Sequence, residues 1–356
     1  MTTVSRSSQK TLWSPKNDPH QPLIEEKGQR YIDYREQWAE TLKLEKITEM
    51  PTQLDFELNP SCNLKCPMCT WSAVKTFGKG SESWMSFEFY KKIVDEVASG
   101  VYSINLNYVN EPLIRKDIPQ FVSYAVQKGI PEVMFNTNGV LLKPDMSEAL
   151  IDAGLTKLSV SLDASTEETY AKIRVGSDFG KVMENIDHFI EIRKKKGRKT
   201  PLLKLTFLVL DINKHELDDF ISKWRKIVDF ISIQSAVNPF DDDKTEERAK
   251  TLGAVFKNHP STVEVSEDMS NTGCHMPFQR MTVRSNGDVL PCCDFRGEDL
   301  VVGNADKSTI RTIWQGNQLQ TLREIHKKKV WHQNAVCKKC MENRGKVGPD
   351  ASRFDD

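Results

Sequence analysis

The sequence predicts an α/β fold, a partial (β/α)6 TIM-like barrel followed by a small C-terminal domain built from a β-hairpin and helices. Between about residues 51 and 240, strand-like and helix-like segments alternate six times, a pattern that gives a parallel sheet with right-handed crossovers. Further on, the stretch MTVRSNGDVL at 281–290 places Asn-Gly between two apolar runs, the strongest signal for a two-residue hairpin. Six units are too few for an eight-stranded barrel, so we expect an open or partial one.

The chain divides into three predicted parts. Residues 1–50 form a polar lead that ends in a helical segment over 31–44, where Tyr34, Trp38 and Leu42 recur at helical spacing. The barrel core occupies residues 51–240. A second domain follows over 241–356 and begins with the polar linker DDDK at 241–244.

The elements of the core are predicted in chain order. Leu54, Phe56 and Leu58 alternate with polar residues and indicate the first strand, and Ser86 caps the first helix. The other strands are predicted at 103–109, 133–136, 158–163, 202–210 and 230–234, and the other helices at 117–128, 145–153, 166–173, 178–196 and 215–226. Functional side chains should follow the strands, because catalytic groups collect at the C-terminal face of such barrels.

Composition excludes several functional classes. The 50 Lys and Arg residues balance 50 Asp and Glu residues, which argues against nucleic-acid binding through a basic surface. The sequence has no apolar run of about 18 residues that would span a bilayer. Its first twenty residues also lack the apolar region of a secretory signal. We therefore expect a cytoplasmic protein that binds neither nucleic acid nor membrane.

The eight cysteines fall into two groups whose placement indicates metal chemistry. Cys62, Cys66 and Cys69 lie close together in the chain. The others follow about two hundred positions later, at Cys274, Cys292, Cys293, Cys337 and Cys340. In a reducing compartment such groups bind metals or react more often than they form disulfides. Scattered buried thiols are a poor alternative for the first group, because polar Asn63 and Lys65 lie between its members.

The first group, Cys62-x3-Cys66-x2-Cys69, supplies three thiolates from one short loop. Three ligands leave one iron of a cubane cluster without a protein ligand, whereas structural sites fill all four positions. A chelating cosubstrate can bind the open iron, so the triplet fits a catalytic iron–sulfur site. Structural zinc with a fourth ligand from elsewhere is the competing interpretation.

The second group can close a four-thiolate site. The predicted hairpin brings Cys274 near Cys292, and Cys337-x2-Cys340 adds two more thiolates. Four sulfur ligands fit either zinc or an iron–sulfur cluster, and spacing does not separate the two. A haem attachment site is excluded because Met341, and not histidine, follows Cys340.

The stretch CNLKCPMC at 62–69, directly after the first predicted strand, resembles the signature of the radical S-adenosylmethionine (SAM) enzymes. The resemblance covers about residues 52–240. It implies a [4Fe–4S] cluster held by Cys62, Cys66 and Cys69, with SAM on the fourth iron. Reduction of that cluster cleaves SAM to a 5′-deoxyadenosyl radical, which abstracts a hydrogen atom from the substrate. Met68 stands where the family usually has an aromatic residue, and its thioether can pack near the adenine.

The resemblance also implies residues that bind SAM after the second strand. VNEP at 109–112 takes the place of a Gly-Gly-Glu turn. Glu111 therefore inherits the contact with the SAM amino group. Asn110 replaces a glycine, a change that the tolerance of asparagine for left-handed backbone permits.

Three later positions match the family as well. Asn136 lies in a segment that resembles one near the cofactor pocket, and Ser161 is similar to the serine that meets the SAM ribose or carboxylate. Arg174 matches the arginine near that carboxylate, where a guanidinium donates two parallel hydrogen bonds. Asp163 stays open to interpretation as a helix-capping residue.

The spacing Cys274-x12-Gly287-x4-Cys292 is similar to the opening of the SPASM/twitch extension that follows many radical SAM cores. The full SPASM form adds further cysteines, and none follows Cys340 here. The resemblance therefore implies a twitch-like arrangement with a single auxiliary [4Fe–4S] cluster. Its four ligands would be Cys274, Cys292, Cys337 and Cys340. Cys293 is left over, as a spare buried thiol, as an alternative cluster ligand, or as a hydrogen-atom donor to a product radical.

Three functions stay open on the sequence. The first is hydrogen abstraction from a small polar, sugar-like or aminocyclitol-like metabolite, giving oxidation or epimerisation; YIDYREQW at 31–38 resembles the lead of relatives that modify such compounds. The second is maturation of a ribosomally made peptide, for which 50 residues before the first strand are short. The third is a non-catalytic zinc-binding adaptor. The resemblance also implies flavodoxin or ferredoxin as reductant.

Overall fold

A computed structural model describes residues 9–12, 18–69, 71, 83–210, 212–235 and 273–344. The strands in these ranges are β1 (Gln9–Leu12), β2 (Gln53–Phe56), β3 (Ser103–Asn105), β4 (Glu132–Thr137), β5 (Lys157–Ser161), β6 (Leu202–Val209), β7 (Phe230–Ser235), β8 (Arg280–Val283), β9 (Asp288–Leu290) and β10 (Gly303–Asn304). The helices are α1 (Gln21–Lys27), α2 (Gln29–Thr41), α3 (Phe87–Val97), α4 (Ile118–Gln127), α5 (Pro144–Asp152), α6 (Glu167–Ile173), α7 (Phe179–Lys195), α8 (Leu217–Trp224), α9 (Met276–Gln279), α10 (Ile310–Trp314), α11 (Asn317–Lys327) and α12 (Ala335–Arg344).

Strands β2 to β7 form the barrel core, in which each strand pairs in parallel with its sequence neighbours. All six lie where the strand-helix alternation predicts them, which confirms the partial (β/α)6 barrel. Side chains alternate between the two faces. Phe56 meets the ring of Tyr90 on α3, with centroids 5.0 Å apart, and Asp55 bonds instead to Asn105 of β3. The apolar face therefore packs on the helices, and the polar face lines the barrel interior.

The second domain joins the same sheet, which the sequence did not predict. Strand β8 pairs in parallel with β2, with Gln53 opposite Arg280. The sheet order is β1-β7-β6-β5-β4-β3-β2-β8-β9-β10. The exposed edge of β2 accepts β8 because an unpaired strand edge leaves backbone groups unbonded. The boundaries at residues 50 and 240 stay predictions, and the linker at 241–244 lies outside the described residues.

The hairpin between β8 and β9 has a three-residue loop and not the two-residue loop that Asn-Gly indicates. Arg284 and Asp288 are joined by a 2.8 Å backbone hydrogen bond, and the N–H of Gly287 donates to the Arg284 carbonyl. Gly287 has φ +86°. A turn followed by a left-handed residue gives a three-residue hairpin loop, and glycine adopts that backbone without steric cost.

The N-terminal lead closes the barrel at the N-terminal ends of its strands. Tyr31, Tyr34 and Trp38 of α2 form an apolar cluster with Leu202 and Phe230, which begin β6 and β7. Upstream of α1, strand β1 adds antiparallel pairing to β7, an element that the polar composition of residues 1–20 did not reveal. The helices of the lead thus exclude water from one end of the barrel.

None of the helices in the described part of the chain combines the length and the apolar composition needed to cross a membrane.

Candidate active site

The first cysteine group lies in the loop after β2, at the C-terminal face of the barrel. Cys62, Cys66 and Cys69 belong to one small apolar cluster together with Leu64 and Met68. The N–H of Cys69 donates to the carbonyl of Cys66 at 3.1 Å, which makes a tight turn between these two cysteines. The structure therefore brings the three thiols together with Met68, as the spacing predicts.

Burial controls the protonation of these thiols. It raises the pKa of Cys62 to about 11 and also raises the pKa of Cys66, where the Arg174 guanidinium opposes the effect. Only thiolates bind iron well, so metal binding must displace these protons. Three convergent thiols in an apolar loop are a donor set that suits an iron–sulfur cluster.

Glu111 links the ends of β3 and β4. Its Oε1 accepts hydrogen bonds from the N–H of Leu113 at 3.0 Å and from the hydroxyl of Thr137 at 2.7 Å. Its Oε2 accepts the N–H of Asn138 at 2.7 Å. Glu111 is 2% exposed, and burial raises the pKa of its carboxyl while these hydrogen bonds oppose the rise. A carboxylate offers about four acceptor sites, so one on Oε2 is left for a further donor.

The cysteine loop is anchored to the turns around it. The carbonyl of Ser61 accepts the N–H of Glu111 at 2.9 Å, and Asn138 Nδ2 donates to Asn63 Oδ1 at 2.9 Å. On the other side, the N–H of Lys65 donates to the Val175 carbonyl at 3.0 Å. The sequence analysis did not identify Asn63 and Asn138 as anchors, although Asn138 lies two residues after Asn136, in the segment matched to the cofactor pocket.

Arg174 is held between a carboxylate and a cysteine. One terminal nitrogen donates to Asp163, and the other lies 4.0 Å from Cys66 Sγ. Asp163 has φ +61°, and its Oδ1 accepts the N–H of Leu208 at 2.8 Å. The interpretation of Asp163 as a helix cap is wrong, because Thr166 caps α6. Asp163 positions Arg174 instead.

Two buried donors near the cysteine loop fit the carboxylate of SAM. Arg174 Nε and Asn110 Nδ2 are buried and have no hydrogen-bond partner within the described residues. Such donors are costly unless a ligand or water satisfies them. Asn110 Oδ1 accepts the N–H of Tyr108 at 2.9 Å. The non-glycine residues with positive φ in the described chain are Leu44, Asp163 and Lys329, so Asn110 does not use a left-handed backbone.

The other two positions matched to the family lie on neighbouring strands. Asn136 of β4 donates through its backbone N–H to Asn107 Oδ1 at 3.0 Å. Ser161 is the last residue of β5 and is partly exposed. Both therefore lie toward the C-terminal ends of their strands, the face of the barrel that carries the cysteine loop.

The second cysteine group converges on a separate pocket. Its lining includes four cysteines, namely Cys274, Cys292, Cys337 and Cys340. Their chemistry as a set of four sulfur donors suits an iron–sulfur cluster. Burial raises the pKa of Cys292 well above its usual range, and the carboxylate of Asp294 adds to the rise.

Local contacts position these cysteines. The N–H of Cys274 donates to His326 Nδ1 at 3.2 Å, and the N–H of Cys337 donates to Asn334 Oδ1 at 2.9 Å. Asp294 also lines the pocket, and Cys340 Sγ lies 3.4 Å from its Oδ2. No sequence pattern indicated a role for His326. Asp294 could have been noticed from its place two residues after Cys292.

Cys293 takes no part in the lining of the four-cysteine pocket. Its Sγ lies 3.6 Å from Arg280 Nη1, and the same nitrogen lies 3.4 Å from Asp55 Oδ2 in the barrel interior. A second contact joins the two sites, because the hydroxyl of Tyr108 donates to the Asp294 carbonyl at 3.1 Å. The contacts of Arg280 and Tyr108 therefore connect the segment 292–294 to the barrel that carries the first cysteine group.

Two family models match the chain where the two cysteine groups lie. The radical SAM superfamily model matches residues 56–223, and the model of the SPASM iron–sulfur cluster-binding domain matches residues 274–341. A probable GTP 3′,8-cyclase of Methanococcus maripaludis is 30% identical over 269 residues, which cover 69% of this chain and 86% of the relative.

Solved structures share the fold at lower identity. SuiB of Streptococcus suis bound to S-adenosylmethionine has a TM-score of 0.58 and 17% identity, covering 89% of this chain and 80% of that chain. Native anSMEcpe with bound AdoMet has a TM-score of 0.57 and 16% identity, covering 78% of this chain and 84% of that chain.

Proposed function

This chain belongs to the radical SAM superfamily and carries a C-terminal SPASM iron–sulfur domain, and on that premise we propose that it abstracts a hydrogen atom from a small, polar, sugar-like or aminocyclitol-like metabolite. Its cofactors are SAM, the [4Fe–4S] cluster that binds SAM, and an auxiliary iron–sulfur cluster. When bound, the first cluster and SAM supply a 5′-deoxyadenosyl radical. A non-catalytic zinc-binding adaptor does not account for a match to this family.

We assign roles to the residues that the geometry brings together. The first cluster is held by Cys62, Cys66 and Cys69, and the auxiliary cluster by Cys274, Cys292, Cys337 and Cys340. Arg174 Nε and Asn110 Nδ2, two buried donors without a hydrogen-bond partner within the described residues, would bind the SAM carboxylate. Glu111 would accept a hydrogen bond from the SAM amino group at the remaining acceptor site of Oε2, and Met68 would pack beside the adenine. Asn136 and Ser161 line the adjoining strand ends beside the cofactor pocket, where Ser161 would meet the ribose or the carboxylate of SAM.

The polar interior of the barrel is the observation that supports a small polar substrate. Asp55 bonds Asn105, Asn107 bonds Asn136, and Ser159 bonds Thr206 across β5 and β6. Each pair lies on the face of the sheet away from the helices. Asn105 Oδ1 is buried and has no hydrogen-bond partner within the described residues. A polar lining of this kind suits a hydroxylated or amine-bearing substrate, which can hydrogen-bond to it, better than an apolar one.

The outcome of the reaction is proposed from the second site. Four thiolates give each of the four irons of the auxiliary cluster a protein ligand. No iron is then open to a substrate, so the cluster is suited to electron transfer and not to substrate binding. That favours oxidation of the substrate. Cys293 supports the alternative, since its thiol contacts Arg280 on the barrel side and there could return a hydrogen atom in an epimerisation. A flavodoxin or ferredoxin is the proposed electron donor.

A second candidate activity comes from the relatives at 30% identity, which are named GTP 3′,8-cyclases. GTP carries a ribose and falls within the class of polar, sugar-containing metabolites. Cyclisation of a purine nucleotide is therefore a candidate reaction in addition to oxidation and epimerisation, and the same experiment tests all three. Peptide maturation gains no support from SuiB, because the likeness at 17% identity concerns the fold alone.

The decisive experiment uses protein purified without oxygen and reduced chemically. It should contain iron and acid-labile sulfide and should convert SAM to 5′-deoxyadenosine. Replacement of Cys62, Cys66 and Cys69 by alanine should abolish that conversion and leave the iron of the second site. Persistent SAM cleavage in this variant would contradict the assignment, and a colourless protein with zinc alone would favour the adaptor.

Substrate and outcome are then tested by isotope transfer. The enzyme is incubated with SAM, reductant and a panel of deuterated aminocyclitols, sugars and GTP. The true substrate should transfer deuterium into 5′-deoxyadenosine, and mass spectrometry of its product distinguishes loss of two hydrogens from exchange of one with solvent. Transfer from GTP alone would replace oxidation and epimerisation by the cyclase activity, and transfer from none of these compounds would contradict the proposed substrate class.

A further inference from the structure

Two charged side chains share the lining of the four-cysteine pocket. Asp294 and Arg296 both face it, on the segment that follows Cys292. Asp294 Oδ1 accepts the N–H of Arg296 at 3.0 Å and so caps the 3-10 helix Phe295–Asp299. Its other oxygen, Oδ2, lies 3.4 Å from Cys340 Sγ. The cap therefore fixes a carboxylate beside one of the cysteines assigned as ligands.

Arg296 provides the opposite charge. Its Nη1 lies 3.8 Å from Asp294 Oδ1, and the side chains of Arg296 and Asp294 are 9% and 16% exposed. The guanidinium also lies over the ring of Phe295, 4.5 Å from its centroid. Water screens charges this deeply buried only weakly. Both charges therefore act on whatever occupies the pocket, with the carboxylate in direct contact with a cysteine.

A carboxylate beside a cluster ligated by four thiolates is unfavourable by itself, because it adds a negative charge to a site that is already negative. Each electron that enters such a cluster increases this repulsion. Net charge, exposure and hydrogen bonds to the sulfurs are the factors by which proteins set cluster potentials. A fixed Asp294 is thus expected to disfavour the reduced cluster, and Arg296 to favour it.

We propose that Asp294 and Arg296 are positioning residues that set the reduction potential of the auxiliary cluster in opposite directions, with Asp294 lowering it and Arg296 raising it. The inference rests on the proposed function only in requiring that the auxiliary cluster exists. Because Asp294 Oδ2 contacts Cys340 Sγ at 3.4 Å, we expect its effect to be the larger.

The test isolates the auxiliary cluster. Cys62, Cys66 and Cys69 are replaced by alanine, and the remaining cluster is titrated potentiometrically and followed by electron paramagnetic resonance. In this background Asp294→Asn should make the reduction equilibrium about tenfold more favourable, which corresponds to a positive shift of about 59 mV for one electron. Arg296→Met should shift the potential in the negative direction. Asp299→Asn, an exposed carboxylate on the same 3-10 helix, should shift it little.

Opposite shifts would support the proposal, because general disruption of the pocket cannot move the potential both ways. Unchanged potentials in the two variants, or shifts of the same sign, would overturn it while the auxiliary cluster itself stands. If the protein that carries only the three cysteine-to-alanine replacements contains no iron, the assignment of the auxiliary cluster is wrong, and this proposal fails with it. If Asp294→Asn loses its iron, the Arg296→Met variant decides, and a potential that does not fall refutes the proposal.

Discussion

The backbone N–H of Asn138 donates a 2.7 Å hydrogen bond to Oε2 of Glu111. This contact joins the turn after β4 to the turn after β3. The backbone N–H of Glu111 in turn holds the carbonyl of Ser61, the residue before Cys62. One buried carboxylate therefore connects two strand ends to the cysteine loop, and the assigned contact with SAM is made from this fixed position.

Glu111→Gln should weaken SAM binding about tenfold, or about 1.4 kcal/mol, without loss of iron. The amide removes the negative charge that faces the SAM ammonium, and its NH₂ group cannot accept a hydrogen bond. Calorimetric titration of the loaded protein with SAM measures the affinity, and a parallel assay measures iron. Thr137→Val is the matched control, because it removes one donor and keeps the carboxylate. Loss of iron from Glu111→Gln would show that the residue is structural.

Arg280→Met should destabilise the metal-free protein by about 3–5 kcal/mol, because removing one partner of a buried ion pair leaves the other charge buried without an opposite charge. Asp55 is that charge, since its side chain is fully buried and Arg280 Nη1 lies 3.4 Å away. Urea unfolding measures the loss. The double variant Asp55→Asn, Arg280→Met should be more stable than the single variant. Equal stability of the two would mean that the ion pair is not what Arg280 contributes.

Gly273→Ala should remove the iron of the auxiliary site and spare that of the first. A Cβ at Gly273 would lie 2.2 Å from the backbone oxygen of His326, so the chain before Cys274 must shift. The iron content of the purified protein should fall to about half. The electron paramagnetic resonance signal of the cluster that binds SAM should persist. Gly180→Ala, where a Cβ would meet only the side chain of Asp178 at 3.4 Å, should retain all the iron. An undiminished iron content in Gly273→Ala would show that the close approach of Gly273 to His326 does not position Cys274.

The fold should lose stability in mild acid through His20. Burial lowers the pKa of His20 to about 4, whereas an unfolded histidine titrates near 6.5. The unfolded chain binds the proton first, so stability is complete above about pH 6.5 and falls as the pH drops toward 4. The loss at pH 5 is about 2 kcal/mol. Denaturant unfolding at pH 7.5 and pH 5 measures it.

His20→Gln should lose less stability between these two pH values than the native protein. Glutamine keeps a hydrogen-bonding group for the hydroxyl of Tyr31, which lies 2.8 Å from His20 Nδ1. His188→Gln, at an exposed position of α7, should leave the pH dependence unchanged. An identical acid response in His20→Gln and the native protein would place the sensitivity elsewhere.

The sequence by itself determined the barrel and the two cysteine groups, because both are written in local patterns. Periodicity of apolar residues marks strands and helices segment by segment. The short spacing from Cys62 to Cys69 forces three thiols into one loop whatever surrounds it. The spacing of the second group, together with the predicted hairpin, likewise predicted that Cys274, Cys292, Cys337 and Cys340 form one site. The structure places these four cysteines in one pocket.

Only the tertiary structure decided which partners these segments meet. The pairing of β8 with β2, the contact of His326 with Cys274, and the placing of Cys293 outside the four-cysteine pocket all join residues or surfaces far apart in the chain. A strand edge or a thiol has the same local sequence whichever neighbour it finds. Periodicity reports that a face is buried, and the packing of the whole chain sets what it is buried against.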